Sequence, residues 1–392
     1  MASQAMRVYR TFLKDDIYGL GKMETDFCRQ AYLGGRTEIF RPLTKKPLYE
    51  YDVNSLYPFV MKENFFPQGK SFFTFEYNPK KLGIYSCHVV APKTLDIPVL
   101  GVVRQGKYIF PVGSFNGHFT TAEIEYAKTF GYKFVIHEGI EFQKQTKLFS
   151  EFIDSLYAIR LTSPKGSVSE IIAKLLMNSS YGRWGMNIEK ENIGFELKED
   201  SEEYELIKVG KRKIQLFKEP VELKSFTHVA VAAFVTSYAR IRLHRLLTKA
   251  GDSLYYCDTD SVWTTKEFPS GKNLGDLKLE DLHKEGACFL LPKTYIAMGG
   301  KKQKKLAMKG FSSRKTEHFT MEDFQNGLQG EMQKFKVTNE PKFATLKTAL
   351  KQKKIVAMTK GSDKSLKSLY DKRIIIKNGL GEPTTKPIIL QE

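Results

Sequence analysis

The chain has 392 residues, 41% of them hydrophobic, with a formal charge of +18 and a pI near 9.4. That length can bury two or three cores, the apolar share excludes a disordered chain, and the charge favours a polyanionic partner without saying which. The four cysteines (Cys28, Cys87, Cys257, Cys288) have neither disulfide-framework nor zinc spacing, and no apolar run spans a membrane or forms a signal-peptide core. A reduced, intracellular setting and no membrane partner are therefore expected.

In chain order, Leu48-Tyr49-Glu50-Tyr51-Asp52 suits a strand, and Asn54, Ser55 and Pro58 then turn the chain. Amides at such a turn, around Ser55 and Leu56, can cradle a phosphate. Lys70 to Phe142 is rich in Phe, Tyr and Val punctuated by Gly and Pro, and reads as β-rich. Phe152 to Tyr181 reads as two helices joined around Ser163-Pro164-Lys165-Gly166. On the second, Lys174, Asn178 and Tyr181 share one face, while Ile171, Ile172, Leu175 and Leu176 are expected to anchor it from the other side.

Ile188 to Glu222 is charged and alternating, and predicts a projecting strand pair. Thr227 to Leu247 predicts a long amphipathic helix ended by Gly251, with Arg242, Arg245 and Lys249 near its negative end. Leu254 to Thr264 predicts a hairpin with Asp258-Thr259-Asp260 at its tip. An Asp-x-Asp turn alone is more often a solvated turn than a metal seat. Lys301 to Glu392 carries 21 Lys+Arg against 9 Asp+Glu, so about two-thirds of the net charge lies there. A solvated surface explains such runs, and a docking face for phosphates explains their asymmetry.

Magnesium takes hard oxygen ligands and few protein carboxylates, leaving room for phosphates. A two-metal nucleotidyl transfer needs carboxylates from two strands at one point, plus cations on the phosphates. Asp52, the Asp258 and Asp260 pair of the hairpin, and Lys174 offer those parts.

The order Asp-x-x-Ser-Leu-Tyr-Pro from Asp52, Lys-x-x-x-Asn-Ser-x-Tyr-Gly from Lys174 and Tyr-x-Asp-Thr-Asp-Ser from Tyr256 resembles the A, B and C motifs of family B DNA polymerases. Tyr32-Leu33-Gly34-Gly35, Thr236-Ser237-Tyr238-Ala239-Arg240 and Lys293-Thr294-Tyr295 are similar to the Tyr-x-Gly-Gly, Thr-x-x-Ala-Arg and Lys-x-Tyr motifs of the protein-primed subgroup of phages and linear plasmids. The resemblance implies an α+β right-hand polymerase and two Mg²⁺ ions, with Mn²⁺ able to substitute. Asp52 and Asp260 would bridge the metals with help from the Val53 carbonyl, and Asp258 would be an acid of lesser role. It assigns the incoming dNTP to Ser55, Leu56, Tyr57 (as a gate against the 2′-hydroxyl), Arg160, Lys174, Asn178 and Tyr181. It assigns the template strand to Tyr32, Gly34 and Gly35, the primer end to Lys293 and Tyr295, and the priming strand or priming protein to Thr236 and Arg240.

The implied plan is an N-terminal segment (1–47), palm (48–64 and 225–300), a β-rich insertion (65–142), fingers (143–187), a second insertion (188–224) and a basic thumb (301–392). The implied partners are a DNA template-primer, dNTP and a terminal priming protein, with a monomeric enzyme. Only about 50 residues precede Asp52, too few for the family's proofreading exonuclease, so proofreading is not expected of this chain. Two rival readings remain: a silent nucleic-acid-binding protein of the same shape, and a two-metal nuclease. The nuclease has no use for Lys174, Asn178 or a sugar gate.

Overall fold

The computed structural model describes residues 2–14, 17–187, 227–309, 319–330, 370–376 and 382–392, and the backbone of the strands within 191–220 and 333–366. The chain divides into two compact units. The first comprises Met1–Met186, Phe226–Gly330 and Ser368–Glu392, and the second Asn187–Ser225 and Glu331–Lys367.

The first unit is built on an antiparallel sheet of five strands in the order Thr37–Ile39, Leu254–Asp258, Ser261–Thr264, Leu48–Val53 and Leu277–His283. Alternation along Leu48–Val53 sends Tyr51 and Val53 into the main core and Leu48 into a second core with Tyr256, Trp263 and Phe289. Glu50 and Asp52 share the Leu48 face. The helix Val229–Ala250 backs the other face. It was expected to be amphipathic, but 17 of its 22 residues are buried. A helix apolar nearly all round, rich in Ala and Val, belongs inside a fold rather than on its surface. Gly251 ends it as expected, at φ +52°.

The β-rich insertion is a five-stranded sheet in the order Ile389–Gln391, Val112–Thr120, Gly83–Ala91, Lys133–Thr146 and Phe66–Thr74. Its last long strand runs past 142, to Thr146. Helix Thr121–Lys128 rides on this sheet and is opened by a capping box between Thr120 and Glu123.

The two expected helices are Ser150–Thr162 and Val168–Trp184. The anchoring of the second differs from the sequence reading. Ile171, Ile172 and Leu175 are exposed, and the helix is held through Ala173, Leu176, Met177, Ser180 and Trp184. Trp184 stacks edge-on against Tyr9 and Phe149, so the N-terminal helix Ala2–Arg10 completes this packing. The helix is capped by Gly185.

Two further expectations change. In the second unit, the described residues of 188–224 form three strands rather than two: Glu191–Glu196, Arg212–Pro220 and Leu206–Val209, in that sheet order. The same unit contains the ladders Gln333–Thr338 with Gly361–Leu366 and Lys342–Phe343 with Ala357–Met358. Residues 301–392 therefore do not form one thumb. Lys304–Met308 extends a sheet with Ala287–Leu291 and Thr294–Met298, 331–367 belong to the second unit, and 370–392 return to the first.

Candidate active site

The strand Leu48–Val53 places Asp52 near its end, opposite Ser261 on one side and Lys278 on the other. The hairpin 254–264 carries Asp260 at its tip, where Thr259 adopts a left-handed φ of +59°. The two strands are locked where the acids meet, because the Val53 N–H donates to the Asp260 carbonyl at 2.9 Å. After Val53 the chain turns through Ser55, at φ +53°, into helix Leu56–Glu63. Asn54 fixes that turn: its side-chain amide donates to the carbonyls of Gly271 (3.1 Å) and Asn273 (3.3 Å).

These pieces open on one cavity of roughly 1070 Å³. Its walls include Asp52, Val53, Ser55, Leu56 and Tyr57 from the turn. Arg160, Lys174, Asn178 and Tyr181 line it from the helix pair, and Asp260 from the hairpin. The three segments are far apart in sequence and converge here. The Tyr57 and Tyr181 rings stack with centroids 4.2 Å apart. The Arg160 guanidinium donates to Ser55 Oγ at 3.2 Å and pairs with Glu170 at 3.3 Å. Lys165, Lys272 and Lys278 also line the cavity. Sequence reasoning missed them because they sit in a connecting loop, a turn and a neighbouring strand whose register no motif announces.

Burial is the main cause that raises the Asp52 carboxyl to about 7; repulsion from Asp260, Glu280 and Glu50 adds to it and Lys278 opposes it. Burial also raises Asp260, with Asp258 adding and Lys293 opposing. Such a pair attracts positive charge. The donor set is hard oxygen: one carboxylate on a strand and one on the hairpin tip, with Val53 on the wall of the same cavity. Among the described residues no group of three or more His, Cys, Asp or Glu gathers as a metal centre. Two carboxylates with space for phosphate oxygens fit Mg²⁺, which keeps much of its shell for water and substrate.

Asp258 does not line this cavity. Its carboxylate accepts from Lys293 Nζ (2.7 and 2.8 Å) and from Thr37 Oγ1 (3.0 Å). Lys293 is thus tied to the hairpin's outer acid. Tyr295 packs its ring among Tyr256, Trp263 and Phe289.

The Tyr-x-Gly-Gly segment sits between the hairpin tip and the end of the helix pair. Tyr32 lies so close to Gly185 that a Cβ there would come within 2.3 Å of its ring. At Gly35 a Cβ would meet Thr259 at 2.8 Å, whereas Gly34 has open space beside it.

Thr236 and Arg240 require correction as direct strand contacts. Both are buried. Thr236 Oγ1 donates to the Ala233 carbonyl at 3.1 Å. Arg240 pairs with the buried Glu123 (2.7 Å) and donates to the carbonyls of Leu33 (2.6 Å) and Gly34 (3.2 Å). A buried guanidinium needs a carboxylate and carbonyls around it, and Arg240 has both. It joins the long helix, the insertion and the Tyr-x-Gly-Gly segment.

Comparison with known proteins agrees with this geometry. Residues 1–253 match the family described as DNA polymerase type B, organellar and viral. A probable DNA polymerase of Neurospora intermedia is 31% identical over 347 residues, covering 80% of this chain and 36% of the relative. One of Podospora anserina is 33% identical over 365 residues, covering 79% and 30%. The DNA polymerase of Bacillus phage phi29 is 27% identical over 314 residues, covering 68% and 48%. The chain thus spans about a third to a half of the length of these curated relatives. The solved structure of phi29 DNA polymerase with single-stranded DNA superimposes with a TM-score of 0.71 at 22% identity, covering 93% of this chain and 67% of that one. The fold is therefore the α+β right hand of the polymerases. By family match and relatives together, the chain belongs to the organellar and viral type B DNA polymerases.

Proposed function

We propose that this chain is a template-directed DNA polymerase that adds dNMP to a 3′-hydroxyl, and that it can also start on a side-chain hydroxyl of a priming protein. The observation that carries this reading is the convergence of Asp52, Asp260, Tyr57, Arg160, Lys174, Asn178 and Tyr181 on one cavity. Asp52 and Asp260, with the Val53 carbonyl, would hold two Mg²⁺ ions, or Mn²⁺ in their place. Bound metal would lower the pKa of the attacking hydroxyl and neutralise charge on the phosphates.

The chain's own residues do the positioning. Lys174 and Arg160 hold the triphosphate, and the amides at Ser55 and Leu56 face its oxygens. Tyr57 stacks under the deoxyribose, where a 2′-hydroxyl would collide with its ring. Asn178 and Tyr181 frame the nascent base pair. Tyr32, Gly34 and Gly35 border the template path, and Lys293 with Tyr295 the primer end. The 3′-oxygen attacks the α-phosphate in line, and pyrophosphate leaves toward the cavity cations.

Primer extension with dNTP and Mg²⁺ tests the reading. Elongation that is lost in Asp260→Ala supports it. Binding without product indicates a silent binding protein, and shortening of the primer indicates a nuclease. Adding a labelled dNTP and template without primer, with and without a candidate priming protein, tests the mode of initiation.

A further inference from the structure

Thr37–Ile39 is the outer strand of the central sheet and only three residues long. On its inner side it pairs Thr37 with Asp258, Glu38 with Cys257 and Ile39 with Tyr256. The Arg36 carbonyl accepts the Thr259 N–H at 2.8 Å. This short strand thus holds one flank of the hairpin that carries Asp260. An edge strand leaves a row of backbone groups unpaired on its outer side.

Here groups from residues more than three hundred positions later, most of them side chains, take that row. The Ile39 N–H donates to the Tyr370 hydroxyl at 3.0 Å. The Thr385 hydroxyl donates to the Ile39 carbonyl at 2.9 Å, and the Thr385 N–H donates to the Phe40 carbonyl at 2.9 Å. Lys372 Nζ donates to the Thr37 carbonyl at 3.2 Å. Beneath the strand, Glu38 is fully buried against Arg36 (2.7 Å to Nε), with Arg373 at 3.9 Å. Arg373 is held in turn by Thr385 Oγ1 and the Asp96 carbonyl, both at 2.8 Å.

We propose that residues 370–376 and 382–387 stand in for a missing sixth strand, and that Tyr370, Lys372 and Thr385 are positioning residues for the catalytic hairpin. The proposal rests on the polymerase reading of that hairpin. None of the three residues lines the cavity. They act by fixing Thr37–Ile39, which fixes the register of Leu254–Asp258 and with it the place of Asp260.

Tyr370→Phe and Thr385→Val in the full chain each remove one hydroxyl and nearly conserve volume. Hydrogen exchange at the amides of 254–264 is expected to speed up by about tenfold or more, because the hairpin opens locally. The kcat for primer extension is expected to fall about ten- to a hundredfold, the scale set by a small misplacement of a reacting group. The KM for dNTP should stay within about twofold, since the residues proposed to hold it are untouched, and half-saturating Mg²⁺ should rise. Lys372→Met should behave alike, and Lys372→Arg should restore most of the loss. Wild-type exchange in the hairpin, with kcat and Mg²⁺ dependence unmoved, overturns the proposal. So does a loss of kcat that tracks global melting while hairpin exchange stays at the global rate. If Thr385→Val unfolds the chain, Tyr370→Phe, which removes a single acceptor, carries the test. If the wild-type chain extends no primer, the polymerase reading fails, and the exchange measurement still decides the brace.

Discussion

The rings of Tyr57 and Tyr181 lie face to face in the cavity, centroids 4.2 Å apart and planes 17° from parallel. Tyr181 thereby fixes Tyr57 from the helix side, and burial with Tyr181 alongside raises the Tyr57 phenol, keeping it neutral. Tyr57→Val removes this wall. Discrimination against ribonucleotides should drop by about 10- to 100-fold, the range for one lost steric contact in a pocket, with dNTP addition much less affected. Single-nucleotide incorporation of rNTP against dNTP measures it, and an unchanged ratio removes the gate role.

Asp52→Asn and Asp260→Asn keep shape and remove charge. Each should cut primer extension by at least about 10³-fold, as expected when the electrostatic centre of a transfer site is neutralised. Gel-shift affinity for primer-template should remain within a few-fold. Equal loss of binding and extension would falsify the assignment of these carboxylates to chemistry.

Lys174 lines the cavity, and none of the described ion pairs involves it. Lys174→Ala should reduce kcat/KM for dNTP by about 10²- to 10³-fold, the scale of one lost cation on a transferring phosphate. Steady-state kinetics over a range of dNTP concentrations check this, and a change confined to DNA affinity would move the residue out of the nucleotide site.

Arg240 and Glu123 form a buried pair. Arg240→Met strands the carboxylate and should cost about 3–5 kcal/mol of stability, whereas Arg240→Met with Glu123→Leu should recover much of it. Denaturant melts provide the readout. A residue gripping DNA directly would instead leave the melts alone and weaken binding.

His228 and His244 set a stability dependence on pH. Burial lowers them from 6.5 to about 4 and about 3 respectively. The unfolded chain takes up protons first, so their contribution is complete above pH 6.5 and is lost as the pH falls toward those values. At pH 5 the loss is about 2 kcal/mol per ring. Asp52, raised by burial, works in the opposite sense. The difference between wild type and His244→Gln isolates one ring: the variant's stability should fall less between pH 7 and pH 5.

Much of the candidate site was legible because its residues carry chemistry at fixed offsets. The turn after Asp52, the stripe at Lys174, Asn178 and Tyr181, and the hairpin at Asp260 lie where local pattern put them. What failed was long range. Nothing near Arg240 announces Glu123, so a buried cation read as a nucleic-acid contact. Ile171, Ile172 and Leu175 looked like an anchor because apolar residues usually are, yet the helix turns Ala173, Met177 and Ser180 inward. The basic composition of 301–392 hid the return of its last residues to the sheet, since single residues such as Tyr370 and Thr385 do that work without any periodic pattern.

The bonds from Ile39 to Tyr370 and Thr385 also order events during synthesis. A chain leaves the ribosome from its N-terminus, and contacts of large sequence separation close last. The strand Thr37–Ile39 must wait for more than three hundred further residues before its outer edge is satisfied. A polypeptide stopped before Tyr370 would hold every residue of the cavity and still lack the three bonds that the outer edge of Thr37–Ile39 receives.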